Sequence, residues 1–196
     1  GIALLLGSLV LFELRVWGLG AELPTQPLAR LALPVTLGGF ALAATTGSLY
    51  RVEERRATRV LTDITIPNGQ SWSPDNATFY FADSREGSIR AYAFDASTGE
   101  LGPMRVLVEA DALPGRPDGM TVDAEGFIWS ARWEGSCVLR IDPKGRIDRV
   151  VPMPASRVTN VCFGGPKLDT IYATTARHNV PGPTLRKHPL QGGLLC

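Results

Sequence analysis

The feature that most constrains this chain is a polar–strand–turn–strand unit that recurs at long intervals. It appears as PNGQSWSPDNATFYFADS from Pro67, PDGMTVDAEGFIWSAR from Pro117 and TNVCFGGPKLDTIYATTAR from Thr159. Each copy opens on a polar residue and runs through a small-and-apolar strand to a Gly/Asp turn. It returns through a second apolar strand that ends in small polar residues. The polar heads, Asn68, Asp118 and Thr159, stand 50 and then 41 residues apart. A four-stranded propeller blade occupies about 40–50 residues, so radial repetition is what this period predicts.

The local pattern agrees. Gly39–Ala44, Thr78–Ala82, Ser88–Phe94, Gly126–Ala131, Cys137–Ile141 and Thr170–Thr175 are short runs rich in aromatic or β-branched residues. Turn signals separate them: Ser73-Pro-Asp-Asn, Ser97-Thr-Gly, Asp123-Ala-Glu-Gly and Asp142-Pro-Lys-Gly. No window holds helical periodicity over three turns. Between the repeats, SIRAYAFDASTGELGPMRVLVEA and CVLRIDPKGRIDRVVPM supply the outer two strands of their blades. The expected fold is all-β, an incomplete propeller with about four recognisable blades over residues 38–196.

In a propeller the innermost strand of every blade begins beside a common channel, so Asn68, Asp118 and Thr159 should converge. An amide oxygen and a carboxylate facing one channel mouth suit a hard divalent cation. The other reading of Pro-Asn-Gly and Pro-Asp-Gly is that both are simply turns, a common use of these tripeptides.

Bulk properties exclude some functions. With 20 basic and 19 acidic residues, net charge +1, nothing electrostatic recommends nucleic acid or an acidic membrane as partner. Cys137, Cys162 and Cys196 form neither CxxC nor a Cys/His cluster, against a disulfide framework or structural zinc. A reducing, cytoplasmic compartment is the expectation. Residues 1–37 are set apart as an apolar N-terminal segment, either a first-blade remnant or signal-like. Its opening run, GIALLLGSLVLF, is too short to span a bilayer.

These residues resemble the gluconolactonase/regucalcin family, also called senescence marker protein and including luciferin-regenerating enzyme. GSLYRV at Gly47, IPNGQSWSPD at Ile66, FYFADS at Phe79 and FDASTGELGPMRV at Phe94 carry the resemblance. So do RPDGMTVDAEGFIWSARWEGSCVLRIDPKGRI at Arg116 and VTNVCFGGPKLDTIYATTAR at Val158. The resemblance implies a six-bladed propeller and one divalent cation, Ca²⁺ or Zn²⁺, held by a Glu, an Asn and an Asp. The Asn maps onto Asn68 and the Asp onto Asp118, which the family also uses as general base. The implied reaction is metal-dependent hydrolysis of a sugar lactone to the aldonic acid. The alternative is an inactive fragment or a cation-binding propeller without catalysis.

Some family features are missing or altered. Glu13 has the Glu-to-Trp spacing of the family's E-x-P-x-W motif in Glu13-Leu-Arg-Val-Trp17 but lacks the Pro. The substrate-binding Asn-Asp-Gly-Lys loop is absent. His178 and His188 are expected on the surface, with no nucleophile-elbow partner. Trp72 and Trp129 are expected to pack between blades, and Cys162 inside the core. Arg132 and Trp133 stand where they could edge the pocket, the plainer reading being a strand-end turn, and Arg55-Arg56 reads as a hairpin turn.

Overall fold

The structure, a computed structural model, describes residues 47–53, 55–110 and 113–196. Glu13 and the Gly39–Ala44 run lie outside them, as does the whole 1–37 segment. The chain divides into two compact units. Of the described residues, one takes in 47–49, 60–110 and 113–196 and contains the sheets that matter here; the other takes in 50–53 and 55–59. β1 (Gly47–Glu53) and β2 (Arg56–Ile64) pair as a two-stranded sheet, with Arg55 in the turn.

Two complete four-stranded antiparallel sheets follow, each in simple chain order. The first is β3 (Pro67–Trp72), β4 (Thr78–Asp83), β5 (Ile89–Asp95) and β6 (Glu100–Val108). The second is β7 (Arg116–Val122), β8 (Ile128–Trp133), β9 (Cys137–Ile141) and β10 (Ile147–Pro152). The third has three strands: β11 (Val158–Gly164), β12 (Thr170–Thr175) and β13 (Leu194–Leu195). A six-residue helix, α1 (Gly182–Lys187), lies between β12 and β13 where the repeat predicted only strand. The architecture is a partial β-propeller.

The tight turns are built by side chains. Asp123 Oδ1 accepts from the Glu125 and Phe127 amides at 3.0 and 2.9 Å. Asp142 Oδ1 does the same for Lys144 and Arg146, both at 2.9 Å. Each carboxylate thus replaces the backbone partners that a two-strand reversal leaves unpaired.

Packing follows the period-two alternation of the strands, which sends neighbouring residues to opposite faces. Tyr80 and Ala82 of β4 and Ile89 and Ala91 of β5 meet Met120, Ile128, Leu139 and Ile141 of the second sheet. Phe79 and Phe81, one residue out of phase, build a separate cluster with Ile64, Leu49 and Leu61. In the second sheet, Trp129, Ala131 and Val138 turn the other way, onto Val158, Val161 and Ala173 of the third. Middle strands are therefore buried on both faces, which is why β4, β8 and β9 read as nearly continuous apolar runs. The outer strands β6 and β10 are mostly exposed and carry Pro103, Arg105, Arg149 and Pro152, residues that discourage edge pairing.

Three packing expectations divide. Trp129 makes an edge contact with Phe163 of the neighbouring sheet, ring centres 5.6 Å apart, so it does pack between blades. Trp72 does not: it is 41% exposed and leans on Phe79 and Phe94 of its own sheet. Cys162 is exposed rather than in the core. It lies on the opposite face of β11 from Val161 and Phe163, the residues that pack on the second sheet. Of the histidines, His178 is exposed and His188, half-buried, follows α1 with its N–H bonded to the Thr184 carbonyl.

Candidate functional site

The inner strands β3, β7 and β11 run beside one another, β7 in the middle. Each carries a slip in its ladder at the residues singled out by the repeat. The register shifts between Asn68 and Gln70, between Pro117 and Met120, and between Val158 and Asn160. A bulge bends its strand locally and re-aims the side chains around it, a device frequent beside active sites. Here it recurs in three successive sheets at the same place.

Glycines allow the inner strands to approach. A Cβ at Gly69, whose φ is +35°, would overlap the Asp118 carbonyl oxygen. A Cβ at Gly119 would overlap the Asn160 side-chain amide and come within 2.8 Å of the Thr159 carbonyl. These two positions follow Asn68 and Asp118 directly, so the close approach sets the candidate residues against their neighbours.

The result is a direct contact between residues 50 apart in sequence: Asn68 Nδ2 donates to Asp118 Oδ1 at 2.5 Å. The Asn68 Oδ1 accepts from the Gly69 amide at 3.0 Å, which fixes the orientation of the side-chain amide. Burial pushes the Asp118 carboxyl above the usual carboxylate range, against the opposing bonds from Asn68 and the Gly119 N–H. Beside this pair lies a cavity of about 460 Å³. Leu49, Phe81 and Met120 give it apolar wall; Asn68, Gln70, Thr159 and Asn160 give it neutral polar groups. Thr159 reaches the cavity as the repeat predicted, but its hydroxyl bonds to the Thr174 hydroxyl at 2.7 Å within its own sheet.

Behind the pair, the ends of the second strands hold the approaches. Asp83, fully buried at the end of β4, accepts from the amides of Thr65, Ile66 and Arg85 at 2.7, 3.0 and 3.0 Å. The Ser84 hydroxyl then crosses to the Pro117 carbonyl at 2.6 Å, tying the first sheet to the residue before Asp118. Arg132 does not edge the pocket. It is fully buried, donating through Nε to the Pro114 carbonyl and through Nη2 to that of Gly115, both at 2.9 Å. Burial brings its guanidinium down to about 10. Trp133 sits beneath the Arg157 guanidinium, 4.7 Å from ring centre to Cζ.

As a cation site, Asn68 and Asp118 offer one amide and one carboxylate in contact, the oxygen chemistry that hard divalent ions prefer. The amide would turn its oxygen toward the ion, giving up the Gly69 bond. Among the described residues no group of three or more His, Cys, Asp and Glu converges on one point. Among them, too, no helix is long and apolar enough to cross a membrane. Sequence reasoning missed Asn160 and Asp83 as parts of this region.

Repeated antiparallel sheets with bulged inner strands around a polar cavity define a partial β-propeller. The model of the SMP-30/Gluconolactonase/LRE-like region matches residues 33–177, and the chain belongs to this family. It is 44% identical over 131 residues to a pentonolactonase of Haloferax volcanii, covering 66% of this chain and 45% of that protein. Regucalcin of Gallus gallus is 33% identical over 150 residues, 76% of this chain and 50% of the relative. Among solved structures, the calcium-binding protein regucalcin of Agrobacterium tumefaciens matches with TM-score 0.73 and 32% identity. That match covers 77% of this chain and 52% of the other. The chain thus spans about half the length of the curated relatives it matches.

Proposed function

We propose that the chain carries the Asn–Asp wall of a sugar-lactone hydrolase site, with Asp118 as general base. The observation that carries this reading is the contact of Asp118 with Asn68, which lines a cavity with mixed apolar and neutral polar walls. Uncharged hydroxylated rings need such a surface: apolar area for the ring face, amides and hydroxyls for its oxygens. Membership in a family that contains a pentonolactonase supports the same substrate class.

In the reaction, Asp118 takes a proton from water as the water oxygen bonds to the lactone carbonyl carbon. The ring C–O bond then breaks, and the proton returns to the former ring oxygen to give the hydroxy acid. Asn68 and Asp118 would hold a divalent cation, Ca²⁺ or Zn²⁺, whose chemistry there is Lewis acidity toward the carbonyl oxygen. The free thiols Cys137, Cys162 and Cys196 accord with a reducing, cytoplasmic setting.

The test is acid release from a pentonolactone and from gluconolactone, corrected for spontaneous opening. The chain is stripped with a chelator and then reloaded with Ca²⁺ or Zn²⁺. Metal-restored turnover that Asp118→Asn abolishes is the expected result. A chain that never exceeds the uncatalysed rate with any divalent ion overturns the reading.

A further inference from the structure

We infer that Asn160 is a specificity-determining residue of this pocket, its side-chain amide binding a hydroxyl of the polyhydroxylated ring. This deepens the lactonase reading and rests on it.

Four observations lead there. The residue after the polar head is glycine in the first two inner strands, Gly69 and Gly119, but Asn160 in the third. The Gly119 notch is filled by the Asn160 amide itself, since any Cβ on that glycine would overlap it. The Asn160 side chain therefore lies over the strand that carries Asp118, and it lines the same cavity as Asn68. The neighbouring Thr159 hydroxyl is engaged with Thr174, whereas no hydrogen bond of the Asn160 side chain occurs among the described residues.

The chemistry narrows the role. An amide offers two donors and an acceptor, matching a hydroxyl that both gives and receives. It is neutral, so it neither repels Asp118 nor supplies the charge that would make it a strong cation ligand. Its partner is a ring hydroxyl, distinct from the carbonyl where bond-making occurs. Losing it should therefore weaken binding of the hydroxylated ring in ground state and transition state alike. That pattern raises KM and leaves kcat in place.

The experiment compares wild type with Asn160→Ala and Asn160→Ser on a pentonolactone and on γ-butyrolactone, which has no hydroxyls. Calorimetry with the corresponding pentonolactam, whose ring N–H replaces the hydrolysable oxygen, reads binding without turnover. Asn160→Ala should raise the pentonolactone KM and the lactam Kd roughly three- to tenfold, the loss of one neutral hydrogen bond. The kcat should stay within about twofold, the γ-butyrolactone KM should not move, and Asn160→Ser should recover part of the loss. If γ-butyrolactone is not turned over, its inhibition constant replaces its KM.

Equal shifts for both lactones would make Asn160 a mere shaper of the cavity and overturn the inference, as would no shift in either. Wild-type binding of the lactam without hydrolysis of the lactone would sink the catalytic reading alone. The Asn160 inference would then stand or fall on the Kd of the Ala variant. Neither binding nor hydrolysis by the wild type overturns both.

Discussion

The β3–β6 and β7–β10 sheets solve one structural problem with opposite charges. Asp83 pairs with Pro67 across its ladder, and Arg132 pairs with Pro117. Both are fully buried, and both hold the segment leading into the inner strand. Asp83 takes amide donors from Thr65 and Ile66; Arg132 gives to the carbonyls of Pro114 and Gly115. The feeding loop thus sets the sign of the side chain: exposed N–H groups call for a carboxylate, exposed carbonyls for a guanidinium. The same division runs one residue inward, where the first sheet presents the neutral Asn68 and the second the ionisable Asp118. The scaffold repeats while its chemistry does not.

The largest expected effect breaks the comparison at its inner pair. Asp118→Asn should lower lactone turnover by about 10²–10⁴-fold, the usual contribution of a general base. Asn68→Asp in the same assay should retain far more activity, since it removes no base. Equal losses would show that the two positions act as one unit and that Asp118 is not the base.

The outer pair comes next. Asp83→Ala leaves three part-buried amides without their acceptor and should cost about 2–3 kcal/mol, read from urea unfolding midpoints. Arg132→Met should cost less, about 1–2 kcal/mol. It strands two carbonyls but also removes a buried charge whose Nη1 has no partner among the described residues. A larger loss for Arg132→Met would mean that its charge, rather than its hydrogen bonds, organises the loop.

How much of this was legible in the sequence depended on what repeats. The 50-residue spacing brought Asn68 and Asp118 together because a repeat places equivalent residues beside one another. The Asp123 and Asp142 turns were legible because their chemistry is local. The bulges were not, since a one-residue slip leaves no mark in composition. Cys162, read as core from its apolar surroundings, lies on the face of β11 turned away from the second sheet. Asp83 escaped notice, and Arg132 was read only as a strand-end turn or a pocket edge, because the repeat predicts likeness and their common role hides behind unlike side chains. Helix α1 was too short to show a period, and its local signs are Pro183 in the first turn and Arg186 and Lys187 in the last. Asn160 did have a signal, an amide where the two earlier repeats have glycine.

A smaller effect sharpens the metal side of the comparison. Asn68→Ala keeps the carboxylate and removes a neutral ligand, so it should weaken Ca²⁺ binding by about tenfold. Isothermal titration of the chelator-stripped chain would measure this. Unchanged affinity would move the ion away from the first sheet.

The smallest expected effect lies in the second sheet alone, at Asp123. Desolvation would raise its carboxyl. Bonds from the Trp129 indole and the Phe127 amide, together with the Arg140 guanidinium, instead hold it below the usual range. The first sheet has Ser73 and Asp75 at its corresponding turn, with Asp75 exposed and bonded to the Ser73 hydroxyl at 2.5 Å. Because the folded Asp123 carboxyl ionises at lower pH than the unfolded one, the unfolded state binds more protons around pH 4. Stability from this group is therefore full above about pH 4 and drains away as pH falls through its folded value. Thermal midpoints measured from pH 7 down to pH 3 should fall less steeply for Asp123→Asn than for wild type. Asp75→Asn should change that slope less, since an exposed carboxylate is screened by water. Equal flattening by both substitutions would mean that the acid response belongs to turn carboxylates generally, and that the Arg140 contact adds nothing to it.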